Sequence, residues 1–399
     1  MGSDSLETLK RSVCDSVDAM AATLLRVSHT VHAHPELAFE EYEACKLLVS
    51  TLEAAGLDVQ TGAYGLETAF ASDFGLKRED DACVALVAEY DALPEIGHAC
   101  GHNIIATASV GAGLALQSLG NRLPGRIRIL GTPAEERGGG KELMARQGAF
   151  EGIDAAMMIH PAGVNLVNMP SIAVGEVEAS YRGVPAHASA MPERGRNALD
   201  GLVFAYQAIG ALRQHIRPTE RIHGIITNGG QAPNIVPASA VGRFYVRARN
   251  AQELEPLKER VSSCFRAGAE ATGTEVQLQW SPVDYLAIRF NAPLAECFQR
   301  NAEELGREFL PISQLSSRFA GSTDMGNVSH RVPSIHPMIA AAPAHCTIHN
   351  AEFALHAAAE IGDAAALDGA KALAMTALEF LFDSDLRERS RNLFEAFSE

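Results

Sequence analysis

CVALVAEYDALPEIGHACGHNIIATASVGAGLALQSL (83–119) reads as strand, connection and helix. CVALVAEY (83–90) is a short apolar run of the kind buried on both faces of a sheet, and IIATASVGAGLALQSL (104–119) is long enough for a buried helix. Downstream, RIRILGT (126–132) and AAMMIH (155–160) read as further buried strands, and GKELMARQGAF (140–150) as a helix between them. Strands alternating with helices predict a largely parallel sheet covered on both faces. In such sheets, sites form just beyond the carboxyl ends of the strands. Upstream, Ser5 to Ala55 has helical spacing broken at His34-Pro35, where proline removes a backbone donor.

Near Val174 the pattern changes. EVEASYRG (176–183) alternates like a half-exposed strand, ALDGLVFAYQAIGALRQHI (198–216) is helical, and IHGIITN (222–228) and VGRFYVRAR (241–249) are strands. AQELEPLKERVSSCFRAGAEATG (251–273) is a charged amphipathic helix and TEVQLQW (274–280) a last strand. The order β-α-β-β-α-β matches the split βαβ sandwich. The expected organisation is one domain over 1–174 and 288–399, interrupted by a small domain over 175–287. The larger domain ends in the helix AAALDGAKALAMTALEFLF, packed back on the main sheet.

The 399 residues suit two or three domains of roughly 100–200 residues each. With 47 % hydrophobic and 21 % charged residues, the chain has the balance of a globular protein, not of a disordered or membrane one. A formal charge of −16 repels phosphate backbones and anionic lipid, which sets aside nucleic-acid and membrane partners. Seven scattered cysteines without a C-x-x-C pair point to a reducing compartment. MGSDSLETLKRSVCDS lacks a basic segment followed by an apolar stretch, and Leu6 stands where a myristoylation signal needs Ser or Thr. The expectation is a cytoplasmic protein.

Three segments carry ligand-type residues. In GHACGHN, Cys100 and His102 are separated by one glycine, so in extended chain both face one side and can reach one ion. In GTPAEERGGGKE (131–142), adjacent carboxylates point opposite ways. Glu136 can then bind a metal while Glu135 accepts a proton from the attacking water. This is no phosphate-binding loop, because Glu135 and Glu142 stand where that motif needs Gly and Ser or Thr. His160 ends a third strand. Each signal alone is weak, but equivalent strand ends give the three a common place to converge.

The segments HAHPELAFEE (32–41), YDALPEIGHACGHN (90–103), GTPAEE (131–136), IHP (159–161), GVPAHAS (183–189), APNIVP (232–237), GSTDMGNVSHRVPSIHP (321–337) and AKALAMTAL (370–378) stand in this order. Together they resemble the dinuclear metallopeptidases that include aminoacylases, glutamate carboxypeptidase and auxin-conjugate amidohydrolases. The branch most resembled contains p-aminobenzoyl-glutamate hydrolase and the β-alanyl-lysine type dipeptidase. The resemblance implies an α/β fold: a three-layer αβα zinc-peptidase-like catalytic domain with an inserted ferredoxin-like βαββαβ domain serving as lid and dimerisation surface. It implies metal ligands Cys100, His102, Glu136, His160 and a C-terminal histidine. AHCTIHNAEF offers His345 and His349 for that last ligand, and the family's spacing to AKALAMTAL selects His349. Glu135 matches the general base and His187 the group that stabilises the oxyanion. Asn234, Arg247 and Asp324 are placed around the substrate, Asp324 with a share in orienting the ligands. His34 is expected to support the fold at the proline break. Two positions depart from the pattern: Asn103, where many auxin-conjugate-type relatives carry an acid, and Asn350, where Thr is usual. Asn103 is expected to lower the negative charge near the metals.

The implied reaction is metal-assisted hydrolysis of an amide bond in small dipeptides or N-acyl or N-aroyl amino acids. Two divalent ions per subunit are expected, since five ligands exceed the three of an open catalytic zinc. Zinc suits the thiolate and imidazoles best, with manganese, cobalt and nickel also accommodated. A homodimer through the inserted domain is expected. The rival readings are an amidohydrolase for small aromatic amines or aryl amides, a thiol hydrolase using Cys100 with His102 or His98 as base, and a binding protein without chemistry.

Overall fold

The computed structural model describes residues 5–75, 81–311 and 321–397. They form two units, Met1–Pro170 with Ile288–Glu399, and Ser171–Ala287.

The first unit opens with α1 (Leu6–Ala33) and α2 (Tyr42–Ala54). His34 closes α1 through Nδ1, which donates to the carbonyl of Thr30 at 2.9 Å, and Pro35 prevents continuation. There follow β1 (Gln60–Thr61), β2 (Phe70–Gly75), β3 (Cys83–Glu89), α3 (His102–Gln117), β4 (Arg126–Thr132), α4 (Gly140–Arg146), β5 (Ala155–Met157) and β6 (His160–Ala162). The stretch read as one strand over 155–160 is therefore two. β5 joins the main sheet and β6 starts a separate ribbon, because the chain turns out of the sheet at Met158–Ile159. α4 ends at Arg146 rather than 150, since Gly148 takes φ +89°, which a helix cannot continue through.

The second unit contains β7 (Ala173–Arg182), α5 (Ala198–Leu212), β8 (Arg221–Asn228), β9 (Ser239–Ala248), α6 (Ala251–Thr272) and β10 (Glu275–Trp280). Its four strands are antiparallel in the order β10-β7-β9-β8. One face is covered by α5 and α6, whose Leu202, Ala205, Val261 and Phe265 pack with Val177, Tyr181, Phe244 and Val246. This is the arrangement the β-α-β-β-α-β order predicts. The unit begins at Ser171, ahead of the expected 175, because β7 starts early and Val174 exchanges two 2.9 Å hydrogen bonds with Tyr285.

The chain then returns to the first unit with α7 (Ala292–Glu304), α8 (Met325–Ser329), β11 (Ser334–Ile335), β12 (Met338–Ala340), α9 (Ala351–His356), α10 (Glu360–Phe382) and α11 (Ser384–Ala396). α11 is an element the sequence reading omitted; Asp383 separates it from α10 by capping its first turn.

The main sheet has the order β1-β2-β4-β3-β5-β11, with β4, β3, β5 and β11 parallel and the edge pair antiparallel. Alternation along the strands divides the core. Val84, Leu86, Ile127 and Ile129 pack with α1, α3 and α10, while Ala85, Val87 and Leu130 pack with α4 and α8 residues such as Met144, Met325 and Val328. The unit is thus helix, sheet and helix in three layers. From β3 the chain moves to β4 on one side and then to β5 on the other. Their carboxyl ends lie side by side around that reversal, where open sheets form a crevice.

Candidate metal centre

After β3, the backbone carries Asp91, Cys100 and His102 around a turn that ends in Gly101 at φ +78°. A Cβ on Gly101 would stand 2.9 Å from Pro161, so only glycine lets this turn press against the segment bearing His160. Asp91 organises two ligand-type side chains. One oxygen accepts from His102 Nδ1 at 3.0 Å and the other from the Glu136 backbone N–H at 2.8 Å. With Nδ1 donating, His102 presents the lone pair of Nε2. His160 is set the same way, its Nδ1 donating to the carbonyl of Pro161 at 2.8 Å.

These side chains converge. Cys100 Sγ lies 3.4 Å from His160 Nε2 and 3.3 Å from His349 Nε2. Glu136 Oε1 lies 3.7 Å from His102 Nε2 and 3.6 Å from His349 Nε2. Three overlapping groups result, Cys100–His102–His160, Cys100–Glu136–His349 and Glu89–His102–Glu135, each with its ligand atoms within 4.8 Å. His349 reaches in from a left-handed backbone conformation, φ +64°, held by its N–H on the carbonyl of Ala99 at 2.8 Å. His345 instead lies beside Glu352. Asn350, standing where threonine is usual, caps α9: its Oδ1 accepts from Phe353 N at 2.9 Å.

Beneath the ligands lies a charged layer that sequence reasoning missed. Lys141, 0 % exposed, is paired with Asp324 at 2.7 Å and with Glu89. Asp324 also accepts from the Lys141 backbone N–H at 2.9 Å. Both its oxygens are thus committed to Lys141 and its side chain is buried. Asp324 thus faces Lys141 within this layer, beneath the ligand-type side chains. A further carboxylate, Glu41, accepts from the N–H groups of Phe39 and Ala134 at 3.0 and 2.8 Å, both residues having positive φ. It thereby fixes the bend leading into Glu135. The only advance signal for Lys141 and Glu89 was a charge within or next to an apolar run. Asn103, uncharged and buried at the start of α3, donates its amide to Ser28 Oγ and the Ala357 carbonyl, both at 2.9 Å, and so braces neighbouring helices.

The electrostatics are those of crowded anions. Burial and then Glu89 and Glu136 push Glu135 well above the carboxylate range, and burial also raises Glu136. Burial works against a charged His102, but Cys100 and Asp91 outweigh it and its pKa is raised. Burial and Glu136 push the Cys100 thiol up, the opposite of what thiol catalysis requires. His98, the other base considered for that reading, is held down to about 3 by burial and His102 and makes no hydrogen bond to Cys100 among the described residues. His336, at the end of β11 with its ring 5.2 Å from that of His160, is buried and likewise held down to about 3.

A divalent cation fits this site. The donors are a thiol, three imidazoles and carboxylates, a set suited to zinc and its neighbours. Buried His102 Nε2 and Glu136 Oε1 have no hydrogen-bond partner among the described residues, and such atoms require one.

In the second unit, the loop segments GVPAHAS and APNIVP meet: His187 bridges to Ile235, and Ala188 N donates to Asn234 O at 3.0 Å. His187 Nδ1 accepts from Ala190 N at 3.2 Å, so a neutral ring carries its proton on Nε2. Arg247 is not in that cluster. It lies eight residues along β9 from Ser239, about 27 Å at strand rise. Its Nε donates to His223 at 3.2 Å and its guanidinium lies over Tyr245.

Residues 85–378 match peptidase family M20/M25/M40. The mouse Xaa-Arg dipeptidase is 40 % identical over 98 % of this chain and 93 % of its own. A p-aminobenzoyl-glutamate hydrolase protein of Escherichia coli is 32 % identical over 69 % of this chain and 61 % of its own. Among solved structures, a Bacillus subtilis protein described as a dinuclear metal binding peptidase from the M20 family superposes with a TM-score of 0.65 at 20 % identity, covering 92 % of this chain and 99 % of that one.

Proposed function

Since the chain belongs to peptidase family M20/M25/M40, a family of metal-dependent amidohydrolases and dipeptidases, we propose that it hydrolyses the amide bond of dipeptides, with N-acyl and N-aroyl amino acids as further substrates. The observation that carries the reading is the convergence of buried Cys100, His102 and His160 with Glu136 and the exposed His349, Glu135 lying alongside. Those five side chains would hold two divalent ions, zinc first and manganese, cobalt or nickel next. An ion bound there polarises a carbonyl and lowers the pKa of water toward ~7.

The remaining chemistry belongs to the chain. The Glu135 carboxylate takes the proton of the attacking water and returns it to the leaving amine, a task for which a pKa raised by burial and neighbouring anions is well placed. Asp91 holds His102 in one tautomer, and Lys141 holds Glu89 and Asp324 in place. His187 Nε2–H is the proposed donor to the carbonyl oxygen, and Asn234 a proposed substrate contact.

A homodimer through the second unit is supported by its edge strand. β8, at the sheet edge, leaves Ile225 65 % exposed and Ile226 also open, and Phe204 of α5 is exposed in the same unit; such an apolar edge is the kind that proteins cover. A cytoplasmic location is supported by seven free cysteines; no described helix is long and apolar enough to cross a membrane.

A released-amine screen of metal-loaded protein tests the function, using Xaa-Arg dipeptides, other dipeptides and N-acyl and N-aroyl amino acids. Glu135→Gln should keep its metal and lose about 10²–10⁴-fold in kcat. Near-normal turnover in that variant removes Glu135 from the mechanism.

A further inference from the structure

The segment His345–His356 carries a second set of ligand-type side chains, separate from the centre. Cys346 Sγ, a carboxylate oxygen of Glu352 and a ring nitrogen of His356 lie within 4.8 Å of one another. His345 Nε2 stands 3.4 Å from Glu352 Oε1. None of these four belongs to the groups formed by Cys100, Glu136 and His349.

Local structure presets the group. Glu352 and His356 are four residues apart on α9 and so share one face of the helix. Cys346 is 3 % exposed, packs with the core, and is anchored by its N–H on the carbonyl of Pro343 at 2.8 Å. Asn350 ties the intervening turn to the helix, capping Phe353 N while its amide donates to the Thr347 carbonyl at 2.5 Å. An ordinary surface ion pair accounts for His345 beside Glu352. It does not account for a thiol and a second imidazole aimed at the same carboxylate.

We propose that Cys346, Glu352 and His356, with His345 as fourth ligand, form a second metal site for a thiophilic divalent cation of the zinc type. One sulfur, two nitrogens and one oxygen are a tetrahedral zinc set, and the thiol disfavours magnesium and calcium. Zinc–ligand bonds of 2.0–2.3 Å place ligand atoms about 3.5 Å apart. The group therefore closes by roughly 1 Å, a movement open to the exposed His345 and Glu352 while Cys346 stays fixed. Binding forms the S–metal bond and releases the Cys346 proton to solvent. An ion here clamps the turn from which His349 reaches the centre onto α9.

The test uses the full-length protein with its centre loaded. Added Zn²⁺ is followed by equilibrium dialysis and elemental analysis for wild type, Cys346→Ser and His356→Ala. The expected result is one ion per chain more in wild type than in either variant. With Co²⁺, the thiolate-to-metal absorption should be weaker in Cys346→Ser than in wild type, because Cys100 contributes equally to both. The difference between chains is independent of how many ions the centre holds. Equal metal content in wild type and variants, or an unchanged cobalt spectrum, overturns the proposal. If the core position Cys346 does not tolerate serine, His356→Ala, at a half-buried site, decides on metal content alone.

Discussion

Replacing Lys141 with methionine isolates the charged layer under the centre. Lys141 is fully buried between Glu89 and Asp324, and methionine keeps most of its volume while removing the cation. Breaking a buried ion pair by deleting one partner costs about 3–5 kcal/mol, because the other charges are left without compensation. For a domain of this size that corresponds to a melting temperature lower by roughly 5–10 °C. The pH dependence follows from Asp324. Burial, opposed by Lys141 and reinforced by Glu89, brings it to about 6, against an ordinary 3.8. Without Lys141 the opposing influence is gone and the folded-state pKa rises further. A carboxyl whose folded pKa exceeds its unfolded value contributes stability below the unfolded pKa and loses it as pH rises through the folded one. The deficit of Lys141→Met relative to wild type should therefore be small at pH 5 and complete at pH 8. Melting curves at both pH values, with Asp324→Asn and the double variant closing the cycle, measure this. The double variant should be less destabilised than the two single losses added together. A deficit of the same size at pH 5 and pH 8, or strict additivity, would refute the reasoning.

Asp91→Asn should leave the fold intact but lower metal affinity about 10–100-fold, since Asp91 sets the His102 tautomer and anchors the Glu136 backbone; isothermal titration of the apo-protein with zinc reads this directly. Gly101→Ala places a Cβ 2.9 Å from Pro161 in a backbone of φ +78°, and should destabilise by more than about 1 kcal/mol in chemical denaturation. A chelator should abolish hydrolysis and added zinc, manganese or cobalt restore it. Activity that survives metal removal but not thiol alkylation would return Cys100 to the role of nucleophile.

Much of the architecture is legible in the chain without coordinates. Continuous apolar runs at 83–90 and 126–132 bury both faces of a strand, so they announce the central sheet, and the order of elements over 176–280 announces the split βαβ unit. Ligand-type residues just past these runs, Cys100, His102, Glu135, Glu136 and His160, are readable because strand ends are where parallel sheets place their sites. Long-range placement was not readable. Met158–Ile159 turn out of the sheet, which puts His160 in a ribbon with β12, and α11 follows an N-cap too ordinary to stand out. The sequence around Lys141 does not show that Glu89, at the end of β3, and Asp324, 183 residues away, enclose it. The ties of Asn103 to Ser28 and to Ala357, 75 and 254 residues away, are hidden for the same reason. Local sequence specifies period, caps and turns, and these determined the elements and which residues stand at their ends. Only the tertiary structure decided which buried charges compensate one another, because that depends on distances between segments far apart in the chain.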